Sequence, residues 1–330
     1  MELPVRDELE QAARAVHAVM APTPQICWPQ LCQRLGAEVW VKHENHTQVG
    51  AFKIRGGIVY FEELCRTHPG LSGVVAATRG NHGQSIAYAA RRHGLKALIV
   101  VPHGNSAEKN AAMRALGADL VEHGSDFLDA FEHAQSLARE KALHMVPSFD
   151  DTLVRGVASY SLELFHAVPD IHTLYVPIGW GSGICGAMAV RDALRLKTEI
   201  VGVVAEAAPA YARSFQGGRA VAHPVSATVA DGVALRAPDQ RALESILRGV
   251  ARILTVTESE IRSAMRALFT ATHNVAEGAG AIALAAATQE KSKLAGRRIA
   301  LVQSGGNVDR DIFAKVLLED DLEPSLAQES

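Results

Sequence analysis

The 330-residue chain is poor in the features that mark specialised proteins. It has four cysteines, Cys27, Cys32, Cys65 and Cys185, with no CxxC spacing and no disulfide framework. They are read as reduced, buried thiols of a cytoplasmic protein. No apolar run approaches the roughly 20 residues that span a bilayer, so no membrane partner is expected. The N-terminus, MELPVRDELEQAARAVHAVM, carries acids and lacks the basic-then-apolar layout of a signal peptide. Neither sign of charge dominates: the net charge of −3 gives no reason to expect nucleic acid or an anionic membrane as partner. Internal repeats and low-complexity tracts are absent too. What is present is an ordinary globular balance, 48% hydrophobic and 21% charged, in a chain long enough for one large domain or two modest ones. The acidic tail EDDLEPSLAQES is expected to fray.

Short apolar, β-branched runs alternate with segments of helical character. LSGVVAAT (71–78) precedes SIAYAARRHG, KALIVVP (96–102) precedes SAEKNAAMRALG, and ADLVEHG precedes DFLDAFEHAQSLAREK. TLYVPIG (173–179) leads into CGAMAVRDALRL, EIVGVVAE (199–206) follows, and RRIALVQSGGN repeats the pattern late in the chain. This spacing predicts βαβ units and parallel sheets covered on both faces, an α/β fold. Gly94 and Gly117 follow helical segments as C-cap glycines do.

PIGWGSGICGAMAV stands where a strand gives way to a helix. Gly181, Gly183 and Gly186 fit GxGxxG, and Glu206 closes the next strand, as the dinucleotide fingerprint asks. The physics is narrower: glycines let the backbone approach an anion, and the helix start supplies amide donors. A phosphate is implied; a dinucleotide is one way to supply it, and plain strand–helix packing is the alternative.

Lys53 lies in AFKIRGG. A lysine amine is a nucleophile only when neutral, so desolvation or a nearby cation must lower its pKa. Phe52 and Arg55 offer these two effects, although an isolated lysine is ordinarily a surface residue. VVAATRGNHGQS (74–85) ends a strand in a Thr–Arg–Gly–Asn–His–Gly turn whose amides can receive a carboxylate. His82 has no partner histidine at ligand spacing and reads as structural. LVQSGGN (301–307) ends a strand with a hydroxyl, two glycines and an amide.

Together, and in this order from about residue 20 to about residue 310, these pieces resemble the serine/threonine dehydratase family, pyridoxal 5'-phosphate (PLP) enzymes of fold type II that include threonine ammonia-lyase and serine racemase. AFKIRGG looks like the family's Schiff-base motif, with Lys53 as the lysine and Phe52 beside the cofactor. TRGNHGQ resembles the substrate-carboxylate loop, which makes Thr78, Arg79, Gly80, Asn81 and His82 substrate-side residues and gives Asn81 a bond to the cofactor's 3'-oxygen. GWGSGICG sits where the phosphate loop falls, with Gly179, Trp180, Gly181, Ser182 and Gly183 as its members. Gly232 of ADGVALRAP and Ser304 of SGGN are similarly placed, Ser304 facing the pyridine nitrogen. The resemblance implies a large PLP-binding domain of residues 1–72 and 151–330, a small mobile substrate domain of residues 73–150, and a homodimer.

Three departures refine the expectation. Trp180 and Ser182 replace two glycines of the family's phosphate loop. Arg79 stands where serine racemase carries its second acid/base hydroxyl; a guanidinium is a poor proton shuttle, so elimination is favoured over racemisation. The family's divalent-cation site maps to Glu206, Ala210 and Ala212, so Glu206 and Ala210 remain while alanine replaces the second carboxylate. The expected activity is removal of water and ammonia from a small-molecule β-hydroxy amino acid: threonine, serine, 3-hydroxyaspartate or phenylserine. The alternatives are racemisation or β-replacement on the same scaffold, a PLP-binding protein without turnover, and an NAD-dependent oxidoreductase using the GxGxxG loop.

Overall fold

The computed structural model describes residues 1–319 and separates the strand–helix alternation into two sheets. In chain order the first elements are α1 (Arg6–His17), β1 (Gln25–Cys27), α2 (Pro29–Leu35), β2 (Glu38–His43), α3 (Lys53–Thr67), β3 (Gly73–Ala77), α4 (Asn81–Arg92), β4 (Lys96–Val101), α5 (Ala107–Ala115), β5 (Asp119–Glu122), α6 (Phe127–Glu140) and β6 (His144–Met145). There follow α7 (Asp151–Ala167), β7 (Thr173–Pro177), α8 (Ser182–Ala193), β8 (Glu199–Ala205), α9 (Ala210–Gly217), a 3-10 turn at Asp231–Val233, α10 (Gln240–Gly249), β9 (Arg252–Val256), α11 (Glu258–Thr272), α12 (Gly278–Gln289), α13 (Lys291–Leu294), β10 (Arg298–Gln303) and α14 (Arg310–Leu317).

One sheet has six strands in the order β1-β2-β10-β7-β8-β9 and is parallel except for β1, which pairs antiparallel with β2 at the edge. The other has four parallel strands in the order β5-β4-β3-β6, all from residues 73–145. Apolar clusters cover both faces of each. In the larger sheet, side chains of α7, α8 and α10 pack one face, and those of α2, α11 and α12 the other. In the smaller sheet, α4 and Met113 of α5 lie on one face and α6 on the other. Burial on both faces is why these strands read as continuous apolar runs rather than alternating ones.

α3 is held between the two sheets. A Cβ at Gly156 of α7 would lie 2.3 Å from the Arg55 carbonyl, and one at Gly57 would lie 2.3 Å from Ser85 Oγ of α4. Glycine at both crossings lets α3 approach its neighbours closely, and Ser85 Oγ donates to the Lys53 carbonyl at 2.7 Å. The first residue of α3 is therefore tied to the small sheet while its body is tied to the large one.

Gly94 and Gly117 take positive φ of 68° and 96° just beyond α4 and α5, as their C-cap reading requires. The cysteines need correction. Only Cys185 is buried; Cys27, Cys32 and Cys65 are half-exposed, and Cys27 Sγ lies 3.5 Å from Cys32 Sγ. The acidic tail, apart from Glu319, falls outside the described residues. Among the described residues no helix is long and apolar enough to cross a membrane.

Candidate active site

The chain beyond β10 runs beside the entry to α3. Ala51 and Gly305 form an isolated bridge, the Phe52 amide donates to the Ser304 carbonyl at 3.1 Å, and the Gly306 amide donates to Gly50 at 2.9 Å. The AFK and SGGN motifs, some 250 residues apart, are thus joined by backbone hydrogen bonds. Ser304 is buried and its Oγ donates to the Ala279 carbonyl at 3.3 Å.

The glycine loop meets Lys53 from the other side. Gly181, at φ 103°, caps α8 without a side-chain hydrogen bond, and the first turn of α8 carries no acid. The first amides of a helix have no partner within it. A Cβ at Gly179 would sit 2.6 Å from the Gly232 carbonyl, and one at Gly181 would sit 2.7 Å from Ala242 Cβ. The loop is therefore drawn tight against the segment around Gly232. Ser182 is buried with its Oγ 3.4 Å from Lys53 Nζ, which donates to it. Unsatisfied amides, a buried hydroxyl and a neighbouring ammonium fit a phosphate group. Trp180 does not enter this cradle by its backbone alone: its carbonyl accepts from Tyr211 Oη at 3.1 Å, and its ring lies 5.7 Å from that of Phe127 on α6. The third glycine of GxGxxG, Gly186, faces the backbone of Ala158 in α7, where a Cβ would come within 3.0 Å. It serves helix packing.

The turn after β3 is fixed by its own threonine. Thr78 Oγ1 accepts from the amides of Gly80 and Gly83 at 3.0 and 3.2 Å. Asn81 opens α4; its Nδ2 donates to Glu277 Oε1 at 2.7 Å, and its Oδ1 accepts from Asn307 Nδ2 at 2.8 Å. One N–H of the Asn81 amide is left for a ligand. Arg79 is exposed, with no hydrogen bond or ion pair among the described residues.

Burial lowers the Lys53 pKa to about 8, although the side chain keeps a path to solvent. Phe52 contributes to that enclosure, its ring centroid 5.0 Å from Nζ. Arg55 does not contribute. Two residues further along α3 it turns into a different, fully buried cluster, bonding Glu44, Glu163, Ser159 and Thr23, so the expectation that its charge tunes Lys53 is wrong. Burial, reinforced by the charge of Lys53, holds His82 well below the usual imidazole range, at about 3. It is a neutral imidazole with a buried Nε2 that has no partner. At the mapped cation site Glu206 is exposed and Ala210 and Ala212 are buried; among the described residues no group of three or more His, Cys, Asp or Glu could hold a metal.

Sequence reasoning missed Glu277, Lys109 and Asp231. Glu277 is buried where Asn81, the Gly305 backbone and Lys109 converge. The available signal was an acid immediately before GAGAIALAAATQ, a helix with no polar face to explain it.

Residues 16–305 match the family described as pyridoxal-phosphate dependent enzyme. The L-threonine ammonia-lyase of Thermotoga maritima is 32% identical over 315 residues, 94% of this chain and 77% of that protein. The L-threo-3-hydroxyaspartate ammonia-lyase of Saccharomyces cerevisiae is 30% identical over 318 residues, 96% of this chain and 97% of that one. Among solved structures, the processed form of threonine deaminase isoform 2 from Solanum lycopersicum superposes with a TM-score of 0.86 at 30% identity, covering 96% of each chain. Maize serine racemase gives 0.89 at 25% identity, covering 95% of this chain and 97% of that one. The two mostly parallel sheets are accordingly those of fold type II, and the chain belongs to the family of pyridoxal-phosphate dependent enzymes.

Proposed function

We propose that this chain is an ammonia-lyase that eliminates water and ammonia from a β-hydroxy amino acid, with Lys53 as its central catalytic residue. What carries the reading is the Lys53 amine, brought to about 8 by burial and set against Ser182 at the head of α8. Near neutral pH such an amine is within reach of its neutral, nucleophilic form. When bound, PLP supplies an electron sink for the charge left at the substrate Cα. The amides of Gly181 to Gly183 and the Ser182 hydroxyl hold the phosphate, with Gly179, Trp180 and Gly232 shaping the loop. Phe52 would pack beside the cofactor, and the free N–H of Asn81 would be available to donate to it. The TRGNH turn receives the substrate carboxylate on its backbone amides. The neutral Lys53 amine would take the substrate Cα proton; the β-hydroxyl gains a proton and leaves as water, and hydrolysis of the resulting imine takes one water back up, so the net products are a 2-oxo acid and ammonia.

Ser304 favours this outcome. As a hydroxyl rather than a carboxylate, Ser304 would leave the pyridine nitrogen of bound PLP without a charged partner, a setting that favours elimination over transamination. Ser304→Asp is expected to raise the share of side products; an unchanged product ratio counts against the account. Arg79, standing where a racemase needs an acid/base hydroxyl, argues for elimination over racemisation. We assign the GxGxxG loop to a phosphate rather than to a dinucleotide, place the enzyme in the cytoplasm as a homodimer, and take residues 73–150 as a unit that closes over the substrate.

The test is the visible spectrum of the purified protein before and after borohydride, followed by peptide mapping. A yellow band that disappears and leaves a pyridoxyl group on Lys53, with 2-oxo acid formed from threonine, serine, 3-hydroxyaspartate or phenylserine, supports the proposal. A colourless protein that takes up no PLP sinks it.

A further inference from the structure

Glu277 belongs to no motif and yet touches two, and reaches a third through Lys109. Its Oε1 accepts from Asn81 of the TRGNH turn. Its amide donates to Gly305 of SGGN at 3.2 Å, and a Cβ at Gly305 would lie 2.5 Å from Oε1, so the carboxylate fills the space that glycine vacates. Its Oε2 faces Lys109, which in turn pairs with Asp231 beside Gly232. Lys109 is carried by α5, in the segment that builds the four-stranded sheet, whereas Asp231 and Glu277 lie in the segment that builds the six-stranded one.

The ion pairing is unequal. Lys109 Nζ is 2.7 Å from Asp231 Oδ2 but 3.7 Å from Glu277 Oε2, and Glu277 Oε2 is buried with no hydrogen-bond partner. One ammonium thus serves two carboxylates and favours the more exposed of them. Further contacts tie the same end of α5 to the start of α14, just after SGGN: Ser106 bonds Asp309, and Glu108 accepts from the Arg310 amide.

We propose that Glu277 is a positioning residue for the Asn81 amide, and that Lys109, arriving with the four-stranded sheet, controls its hold by keeping the carboxylate charged. An ionised Glu277 accepts strongly from Asn81 Nδ2, locks Oδ1 toward Asn307 and leaves one N–H aimed at the ligand. A protonated Glu277 holds the same amide weakly. Drawing the sheets together delivers Lys109 and thereby completes the site; separating them withdraws it. Burial, the largest influence, and the charge of Asp231 raise Glu277 to about 7 against the opposing pull of Lys109, so the switch operates near neutrality. Lys109 itself stays charged: burial opposes this, but Glu277, Asp231 and Asp309 outweigh it.

The inference rests on reading Asn81 as a ligand contact, and the test separates the two. Wild type, Glu277→Gln and Lys109→Met holoenzymes are compared by the pH dependence of kcat/KM, by the visible band of bound PLP, and by thermal melting from pH 4 to 9 with and without PLP. In the wild type an acidic limb is expected near pH 7. Glu277→Gln should abolish it, and Lys109→Met should move it upward by about one unit or more. In the melts, a carboxyl raised above its unfolded value contributes stability that is full below about 4.5 and lost as pH rises through about 7. That slope should be absent from Glu277→Gln with and without PLP. A limb unmoved in either variant, or a slope unchanged in Glu277→Gln, overturns the inference; if Glu277→Gln does not fold, the Lys109→Met shift decides. A wild-type chain that binds no PLP fails the functional reading instead, while the melting slope still tests the Glu277–Lys109 pair.

Discussion

Two buried charge clusters lie on either side of Lys53, and they are built on opposite principles. Behind α3, Arg55 and Lys42 meet Glu44 and Glu163, two charges against two. Arg55 bonds Glu44 at 2.6 and 3.0 Å and Glu163 at 2.6 and 2.9 Å, while Lys42 Nζ reaches Glu163 at 2.6 Å and the Thr23 carbonyl at 2.7 Å. None of these carboxylate oxygens lacks a partner. Beyond Asn81, Lys109 faces Asp231 and Glu277, one charge against two, and one oxygen is left over. The first cluster lies wholly within segments that build or cover the six-stranded sheet; the second bridges the two sheets. Balanced, saturated charge belongs to a scaffold that holds one geometry. Unbalanced charge can be tipped by a moving partner, and it sits where the proposed motion is.

The comparison breaks most directly at Arg55. Removing one partner of a buried ion cluster leaves uncompensated charge, which costs about 3–5 kcal/mol. Arg55→Ala is therefore expected to be the most destabilising of these changes, read by urea unfolding of the full chain. A loss below about 1 kcal/mol would mean that Glu44 and Glu163 find water or protons easily and that the cluster is not a rigid scaffold. Lys109→Met, by contrast, should cost little stability, since Asp231 is partly exposed and Glu277 can take up a proton.

A smaller effect distinguishes the two clusters by sign. Burial alone would raise Glu163, but its bonds and charge interactions with Arg55 and Lys42 hold it at about 2. A depressed carboxyl contributes stability above its unfolded value of about 4.5 that is lost as pH falls toward 2. Glu277 runs the other way, losing stability as pH rises toward 7. The stability of Glu163→Gln should thus fall short of wild type above pH 5, by about 3 kcal/mol, and converge on it only as pH falls to about 2. A uniform offset at every pH would show that the carboxylate charge is not what stabilises this cluster.

The clusters also mark where the sequence stops being legible. β3, β4, β7, β8 and β10 were readable because parallel strands buried on both faces are continuous apolar runs. α12 was not, because a helix buried all round shows no period; with it went the meaning of Glu277. β9, RILTV, is half-buried along most of its length and gave only a weak run. Lys53, Ser182, Asn81 and Ser304 could be singled out because each sits in a short motif that resembles one of the family's, and the fold brings Lys53 to Ser182 and the AFK motif to Ser304. Lys109 has no such motif, and its significance comes entirely from partners on other elements. Arg55 was found and misassigned: two residues from Lys53 in sequence is roughly 200° around a helix, and only the fold tells which side faces the ligand.

Arg79 is the counterpart of Arg55 and carries the smallest expected change in stability. Where Arg55 uses all three guanidinium nitrogens, Arg79 uses none, standing exposed between the buried Thr78 and Gly80. An arginine that supports no internal contact can be removed within about 0.5 kcal/mol. Its effect should appear instead in selectivity. If its guanidinium meets a second substrate carboxylate, Arg79→Ala weakens kcat/KM for 3-hydroxyaspartate by roughly tenfold to a hundredfold while threonine and serine change little. If it stacks on an aromatic substituent, phenylserine is the substrate that loses. A uniform change across all four substrates would remove Arg79 from recognition altogether and leave it a surface residue beside the turn.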